Sequence, residues 1–96
     1  MRVEYKVPGG KLVAADSSVE AGFIKNVKIS GDFFMYPETN IIDLEEAITG
    51  IRIEDLESTI LNFFDFHPTQ LIGVGPSDFI HVVKLSLTSS PSLQGF

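Results

Sequence analysis

Apolar and polar residues alternate along much of the first third of the chain, and this period of two is typical of half-buried β-strands. Residues 12–19 and 23–30 follow the pattern, and the loop between them ends in Gly22, which suits the left-handed conformation of a tight hairpin turn. In the second strand, Lys25 interrupts the apolar face. That face consists of Phe23, Val27 and Ile29.

Two shorter segments flank this hairpin. Arg2–Lys6 is a lead-in that ends before Pro8, which has no backbone N–H to donate. On the other side, Gly31 and Asp32 predict a bulge or kink, after which residues 33–36 continue as a third short extended piece. About three strands are therefore expected, formed by residues 12–19, 23–30 and 33–36.

The second half of the chain changes to the period of an α-helix. Ile41, Leu44 and Ile48 recur at i, i+3 and i+7, which places them on one face of a helix. Asn40 is the expected N-cap of this helix, and Gly50 is the expected residue that terminates it.

Two further helices are predicted. Residues 54–64 form the second helix, and Pro76 with Asp78 suits the first turn of the third. Residues 79–88 are rich in Val and Ile and partly alternate, so a strand remains the alternative there. The apolar stripes are Leu56, Ile60 and either Phe63 or Phe64 in the second helix, and Phe79, Val83 and Leu87 in the third.

Strands come before helices along the chain and do not alternate with them, which favours the α+β class. The expected architecture is a small antiparallel β-sheet of about three strands, packed against about three helices on one face. A chain of 96 residues forms one domain. We predict a single domain over residues 1–96, with its core in residues 2–87 and a flexible tail over residues 88–96.

The composition leaves little room for an independent active site. Cysteine is absent, so a disulfide framework, thiolate chemistry and a zinc cluster are not expected, and no metal site is predicted. The chain contains eight Phe residues, and a small domain with this many rings is expected to leave some of them on a surface that meets a partner.

The net charge of −6 is unevenly distributed. Residues 1–30 carry five basic and three acidic side chains, whereas residues 31–96 carry two basic and ten acidic ones. The acidic majority argues against nucleic acid as a partner. The basic first third suits an anionic ligand or an acidic partner patch, or simply solvates the outer face of a strand. No apolar run is long enough for a membrane span or a signal peptide, so no membrane contact and a cytoplasmic location are expected.

We predict no catalytic residue, because the expected signatures are missing. Gly9, Gly10 and Lys11 lack the spacing of a phosphate-binding loop, and no Gly-x-Ser-x-Gly elbow is present. The carboxylates of the first predicted helix are spaced as a solvated face. His67 lies at a helix end, where it can bond to free carbonyl groups, and His81 stands apart from it on the third helix.

The residues around the kink are candidates for contact with a partner or ligand. Phe33 and Phe34 are adjacent, so in an extended segment one enters the core and the other needs cover from a helix or from another chain. Asp32 follows Gly31 and is expected to bond to backbone N–H groups and fix the turn, or alternatively to contact a ligand or partner.

An ordered series of motifs over residues 6–50 resembles the accessory domain of lipoate–protein ligase, and the resemblance is looser over residues 51–87. In many bacterial ligases this domain is fused to the C-terminus of the catalytic domain. In some archaea it is a separate small subunit, and this chain resembles that form in length and in its start. The matching motifs are Lys6-Val7-Pro8-Gly9-Gly10-Lys11-Leu12, the turn with Gly22, residues 24–29, Gly31-Asp32-Phe33-Phe34, Pro37-Glu38, residues 42–45 and Gly50.

The resemblance implies a non-catalytic subunit that binds the catalytic large subunit of the ligase. It would be required for activation of lipoate to lipoyl-AMP, before lipoyl transfer to a lysine of lipoyl domains. The complex would use lipoate, ATP and Mg, none of them bound by this chain alone. The partner or ligand contacts would come from Gly9, Gly10, Lys11, Asp32, Phe33 and Phe34.

The accessory domain is similar in fold to iron–sulfur scaffold and sulfur-transfer proteins. This similarity gives the alternative function, a stand-alone binding or scaffold module. Those proteins use cysteine as a ligand or nucleophile, and this sequence has none, so the alternative would be a module without cysteine chemistry.

Overall fold

The computed structural model describes residues 1–88, which contain five strands, three α-helices and a short 3₁₀ turn. Apart from Thr88, the predicted tail over residues 88–96 lies outside the described residues. The elements in chain order are β1 (Arg2–Lys6), β2 (Leu12–Glu20), β3 (Phe23–Gly31), β4 (Phe34–Tyr36), α1 (Asn40–Ile48), the 3₁₀ turn (Ile53–Asp55), α2 (Leu56–Phe66), β5 (Gln70–Ile72) and α3 (Pro76–Thr88).

The strands form two antiparallel sheets. β2 is the central strand between β1 and β3, and β4 pairs separately with β5. The predicted α+β class is confirmed, but the predicted membership of the sheet is wrong in two places. The lead-in Arg2–Lys6 forms β1 and completes the three strands of the main sheet. Residues 34–36 form β4 and belong to the second sheet. The second difference comes from pairing with β5, which lies more than thirty residues away and which local alternation does not report. The first was accessible from the sequence, because residues 2–6 alternate and pair with β2 across a short turn.

A β-bulge explains the interrupted apolar face of β3. The pairing of β2 with β3 shifts between Ser18 and Val19, which leaves Lys25 as the extra residue on β3. The extra residue reverses the alternation, so Ile24 is fully buried and Phe23 is 41% exposed. The prediction that placed Phe23 on the inner face is therefore wrong.

The helices lie on one face of the main sheet, as predicted. α3 packs against β1 and β2, α1 packs against β3, and α2 packs against both of these helices. Phe79 on α3 is fully buried, and its ring centroid lies 5.3 Å from that of Phe33 and 5.8 Å from that of Phe64. This cluster of rings joins the sheet layer to the helix layer. The other fully buried large side chains are Val13, Ile24, Leu44, Ile48, Leu56, Ile60, Val82 and Val83.

The start of α1 differs from the prediction, whereas its end agrees. Thr39 occupies the N-cap position and makes no capping bond through its side chain. Asn40 is the first helical residue, and its amide donates to Thr69 Oγ1 at 2.8 Å. The prediction of Asn40 as N-cap is wrong because this tertiary bond uses its side chain. Gly50 has a φ of 88° and terminates the helix as predicted, with its N–H donating to Ile24 O at 2.7 Å.

The predicted apolar stripes of the other two helices are confirmed. Leu56, Ile60 and Phe63 are buried on α2. α3 is helical throughout, so the strand alternative for residues 79–88 is wrong. Its first turn is closed by Asp78, whose Oδ2 accepts a bond from Gly75 N–H at 2.8 Å.

Phe79→Ala is expected to lower the free energy of unfolding by about 3–5 kcal/mol, because it removes a fully buried ring and leaves a cavity. Phe66→Ala is the matched control. Phe66 is 79% exposed, so its loss is expected to change stability by less than about 0.5 kcal/mol. Urea unfolding of both variants measures the difference, and similar losses for the two would contradict this assignment of the core.

Candidate functional site

The turn between β1 and β2 is closed by its own backbone. Val7 N–H donates to Lys11 O at 3.0 Å, and Gly10 N–H donates to Val7 O at 2.8 Å. Gly9 adopts a φ of 71°, a conformation that favours glycine. Lys6 Nζ donates to Gly10 O at 2.6 Å and joins the turn to the end of β1. The motif that the sequence singles out is therefore a well-ordered turn that leaves Lys11 exposed.

This turn packs directly against the residue that follows β5. Lys11 N–H donates to Gly73 O at 2.9 Å. A Cβ atom on Gly73 would overlap Lys11 Cγ, and a Cβ atom on Gly10 would overlap Gly73 O. Glycine is thus needed on both sides of the contact, and the contact fixes the turn beside the β4–β5 sheet.

Asp32 ties the end of β3 to the start of β2. Its N–H donates to Leu12 O at 3.1 Å, and its Oδ1 accepts a bond from Leu12 N–H at 2.8 Å. The prediction that the Asp32 side chain bonds to a backbone N–H is confirmed, but the N–H belongs to Leu12 on the neighbouring strand and not to the turn itself. Its role as a contact to a partner or ligand stays a prediction.

The two adjacent phenylalanines face opposite sides, as their positions predict. Phe33 is half-buried and packs against the Phe79 ring, whereas Phe34 on β4 is 46% exposed. Tyr36 on the same side of β4 is 62% exposed, and Ile72, which is opposite Phe34 on β5, is 52% exposed. We call the surface formed by Phe34, Tyr36 and Ile72 the apolar face.

The apolar face and the turn are linked through Gly73 and Asp32. Ile72 directly precedes Gly73, whose O accepts the bond from Lys11 N–H. Phe34 lies two residues after Asp32. The structure thus brings together all the site residues named from sequence except Phe33, which packs inside. Sequence analysis missed Ile72, because its place opposite Phe34 depends on a strand pairing over more than thirty residues. The residues brought together are Gly9, Gly10, Lys11, Asp32 and Phe34.

The two histidines take part in local packing. The Nδ1 atom of His67 lies 2.9 Å from Phe63 O, and its ring stacks on the Phe63 ring at a centroid distance of 4.0 Å. This confirms the predicted bond of His67 to a helix-end carbonyl group. His81 contacts the ring of Tyr5 edge-on at 4.4 Å.

A shallow cleft of about 240 Å³ lies between the end of β3 and the start of α1, and the half-buried Phe33 forms part of its wall. Within residues 1–88, no group of three or more His, Asp or Glu side chains is arranged to hold a metal ion. None of the helices in that range is long and apolar enough to cross a membrane. The cleft is lined by Ile29, Ser30, Gly31, Phe33, Met35, Glu38 and Ile41.

Gly73→Ala is expected to destabilise the protein more than Gly22→Ala. Both residues have positive φ, 90° and 86°, so both variants carry the same conformational cost of about 1 kcal/mol. A new Cβ at Gly22 meets open space, whereas one at Gly73 must displace Lys11. Thermal or urea unfolding measures the difference, and equal losses would show that the close contact of the turn is not needed.

The comparisons with known proteins agree with the fold and with one another. The family described as bacterial lipoate protein ligase C-terminus matches residues 1–81. Lipoate-protein ligase A subunit 2 of Thermoplasma acidophilum is 35% identical over 74 residues, which make up 77% of this chain and 78% of that relative.

A solved structure of an archaeal lipoylation system from Thermoplasma acidophilum contains a bipartite lipoate protein ligase and its E2 lipoyl domain. One of its chains matches this one with a TM-score of 0.75 and 32% identity, over 86% of this chain and 97% of that chain. The sequence, the order of elements and the fold therefore lead to one conclusion: this chain belongs to the lipoate–protein ligase C-terminal domain family.

Proposed function

We propose that this chain is the accessory subunit of a two-subunit lipoate–protein ligase and that the catalytic subunit requires it to activate lipoate to lipoyl-AMP. The main support is that the similarity covers 97% of a chain from a bipartite ligase structure, while the curated relative is named as a ligase subunit. Because the sequence contains no cysteine, the alternative function remains a stand-alone binding or scaffold module without cysteine chemistry.

The apolar face is the proposed docking site for the catalytic subunit. Its two aromatic residues, Phe34 and Tyr36, are of the type that supplies much of the binding energy at protein interfaces. Lys11 lies at the border of this face, where its charge suits an acidic group of the partner or a phosphate. Gly9 and Gly10 carry no side chains, so the backbone of the turn allows a close approach.

The proposed mechanism assigns the chemistry to the partner and the ordering of its site to this chain. Lipoate, ATP and Mg would be held by the catalytic subunit, with lipoyl transfer to a lysine of a lipoyl domain as the later step. A preformed docking surface can hold mobile loops of the partner in place and so lower the entropic cost of closing its site. Transfer from preformed lipoyl-AMP is therefore expected to need this chain less than activation does.

Addition of this chain to the cognate catalytic subunit is expected to increase lipoate-dependent release of pyrophosphate from ATP at least about tenfold. The reason is that the activation step would need the ordered loops. The chain alone is expected to release none. The same rate with and without the chain, together with no co-elution of the two proteins, would contradict the proposal and favour the stand-alone binding module.

Phe34→Ala is expected to raise the Kd for the catalytic subunit about tenfold or more, because an exposed ring in a docking face contributes well over 1 kcal/mol when it is buried. Phe23→Ala is the matched control, since Phe23 is similarly exposed but lies beside the turn at the far ends of β2 and β3. The Kd of the Phe23→Ala variant is expected to stay within about twofold of that of the unsubstituted chain. Titration calorimetry measures both values, and a larger effect at Phe23 would place the interface at the other end.

A further inference from the structure

The chain covers the β3 edge of the main sheet with its own groups. Near the start of β3, Ile24 N–H donates to Ile51 O at 2.9 Å, in the loop that follows α1. Further along, Ile29 N–H donates to Glu45 Oε2 at 2.7 Å. This glutamate belongs to α1 and acts as a local substitute for a neighbouring strand. Such cover protects an edge against pairing with other chains.

The opposite edge, formed by β1, is bare within residues 1–88. Val7 N–H donates to Lys11 O, which fixes the alternation of the β1–β2 ladder. By that alternation, Val3 and Tyr5 exchange bonds with β2, and the residues between them direct their backbone groups away from it. Within the described part of the chain, no backbone bond reaches these outward groups. They belong to Arg2, Glu4 and Lys6, which we call the β1 edge.

The side chains of the β1 edge carry the alternating charges plus, minus and plus. All three residues are exposed, and Arg2 is 3.0 Å from the carboxylate of Glu4. A strand that pairs with this edge places one residue directly opposite each of them. Opposite charges at such positions stabilise the pairing, and like charges destabilise it.

A second copy of the chain is a poor occupant of this edge. In the antiparallel register with the greatest overlap, Glu4 is opposite Glu4, and Arg2 is opposite Lys6, so every pair has like charges. The registers with opposite charges are shifted by two residues and keep fewer bonds. One of them also places Pro8, which lacks an N–H, opposite Arg2.

We propose that the β1 edge accepts a β-strand of the catalytic subunit, so that the main sheet continues across the interface. The residues of that strand opposite Arg2 and Lys6 are acidic, and the residue opposite Glu4 is basic or neutral. This inference rests on the proposed function, because it takes the catalytic subunit as the partner.

The inner side of the edge adds a further requirement for the partner strand. Tyr5 is half-buried at this edge and contacts His81, which is exposed on α3. The partner residues between the charged positions would face these two rings, so they are expected to be apolar. The resulting pattern is acidic, apolar, basic or neutral, apolar, acidic, and it is the same in both strand directions.

The β1 edge is connected to the docking surface already described. It ends at Lys6, whose Nζ donates to Gly10 O within the turn. A partner strand along β1 therefore ends beside the turn, and Lys11 N–H bonds this turn to Gly73, the residue that follows Ile72 of the apolar face. One partner can thus reach both surfaces.

Amide hydrogen exchange of the complex with the catalytic subunit tests the inference. The amides of Glu4 and Lys6 are expected to exchange at least about tenfold more slowly in the complex than in the free chain, because they become bonded. The amides of Val3 and Tyr5, already bonded to β2, serve as the internal control.

The Kd of the Glu4→Pro variant for the catalytic subunit tests the proposed strand addition by affinity, and Glu4→Ala is its control. Proline removes an outward N–H and leaves the β1–β2 ladder intact, so the Kd is expected to rise about tenfold or more. Glu4→Ala keeps the N–H and loses only the cross-strand charge, so the Kd is expected to rise about threefold or less. Thermal unfolding shows whether both variants fold. If the proline variant does not fold, hydrogen exchange of the unsubstituted complex decides whether the strand is added.

Each other outcome overturns the inference. Formation of an active complex whose β1 edge still exchanges rapidly would disprove the strand addition and leave the proposed function intact. Protection of the edge in the free chain that rises with concentration would indicate a second copy, and protection at every concentration would indicate cover by another part of the same chain. Failure of the two proteins to associate at all would overturn the proposed function together with the inference.

Discussion

The reciprocal bonds between Asp32 and Leu12 determine where the main sheet ends, and the position of the candidate site depends on this point. Beyond Asp32, the chain leaves the sheet, and Phe33 turns inward to pack against Phe79. Phe34 then has to face outward, because side chains alternate along an extended segment. The same two bonds between Asp32 and Leu12 hold the start of β2 in place and so position the turn that precedes it. One carboxylate bond therefore sets both the direction of β4 and the place of Lys11.

The small β4–β5 sheet is held in place by two hydrogen bonds, one at each end of β5. A two-stranded sheet by itself is marginally stable in water. Here Thr69, just before β5, accepts a bond from the amide of Asn40 at 2.8 Å, and Gly73, just after β5, accepts one from Lys11 N–H at 2.9 Å. Because both ends are attached to the rest of the fold, the apolar face is fixed before any partner binds. Such preorganisation lowers the entropic cost of association.

Local patterns predicted most of the elements that local contacts determine. The stripes of the three helices and the hairpin turn at Gly22 follow from spacing and from glycine conformation, and they are confirmed. Two of the misassigned features depend on long-range contacts: β4 needs β5, and the side chain of Asn40 needs Thr69. β1 is different, because its residues alternate and it pairs with β2 across a short turn, so the sequence already contained the signal for a strand. The interruption at Lys25 was visible in the sequence, but its meaning as a bulge appears only from the register with β2. The sequence alone identifies Phe34 as a candidate because it is adjacent to Phe33, whereas Ile72 can be identified only from the pairing of β4 with β5.

A subunit without catalytic groups can influence a reaction only through the position and order that it gives to its partner. A single apolar contact would leave the partner free to rotate about it, since apolar contacts are not directional. In the proposed strand pairing, the backbone bonds along β1 would be directional, and the charges of Arg2, Glu4 and Lys6 would favour one register. In the proposed complex, the apolar face would therefore supply much of the affinity, and the β1 edge would fix the orientation. The turn lies between the two surfaces: Lys6 Nζ bonds it to the end of β1, and Lys11 N–H bonds it to Gly73 beside the apolar face.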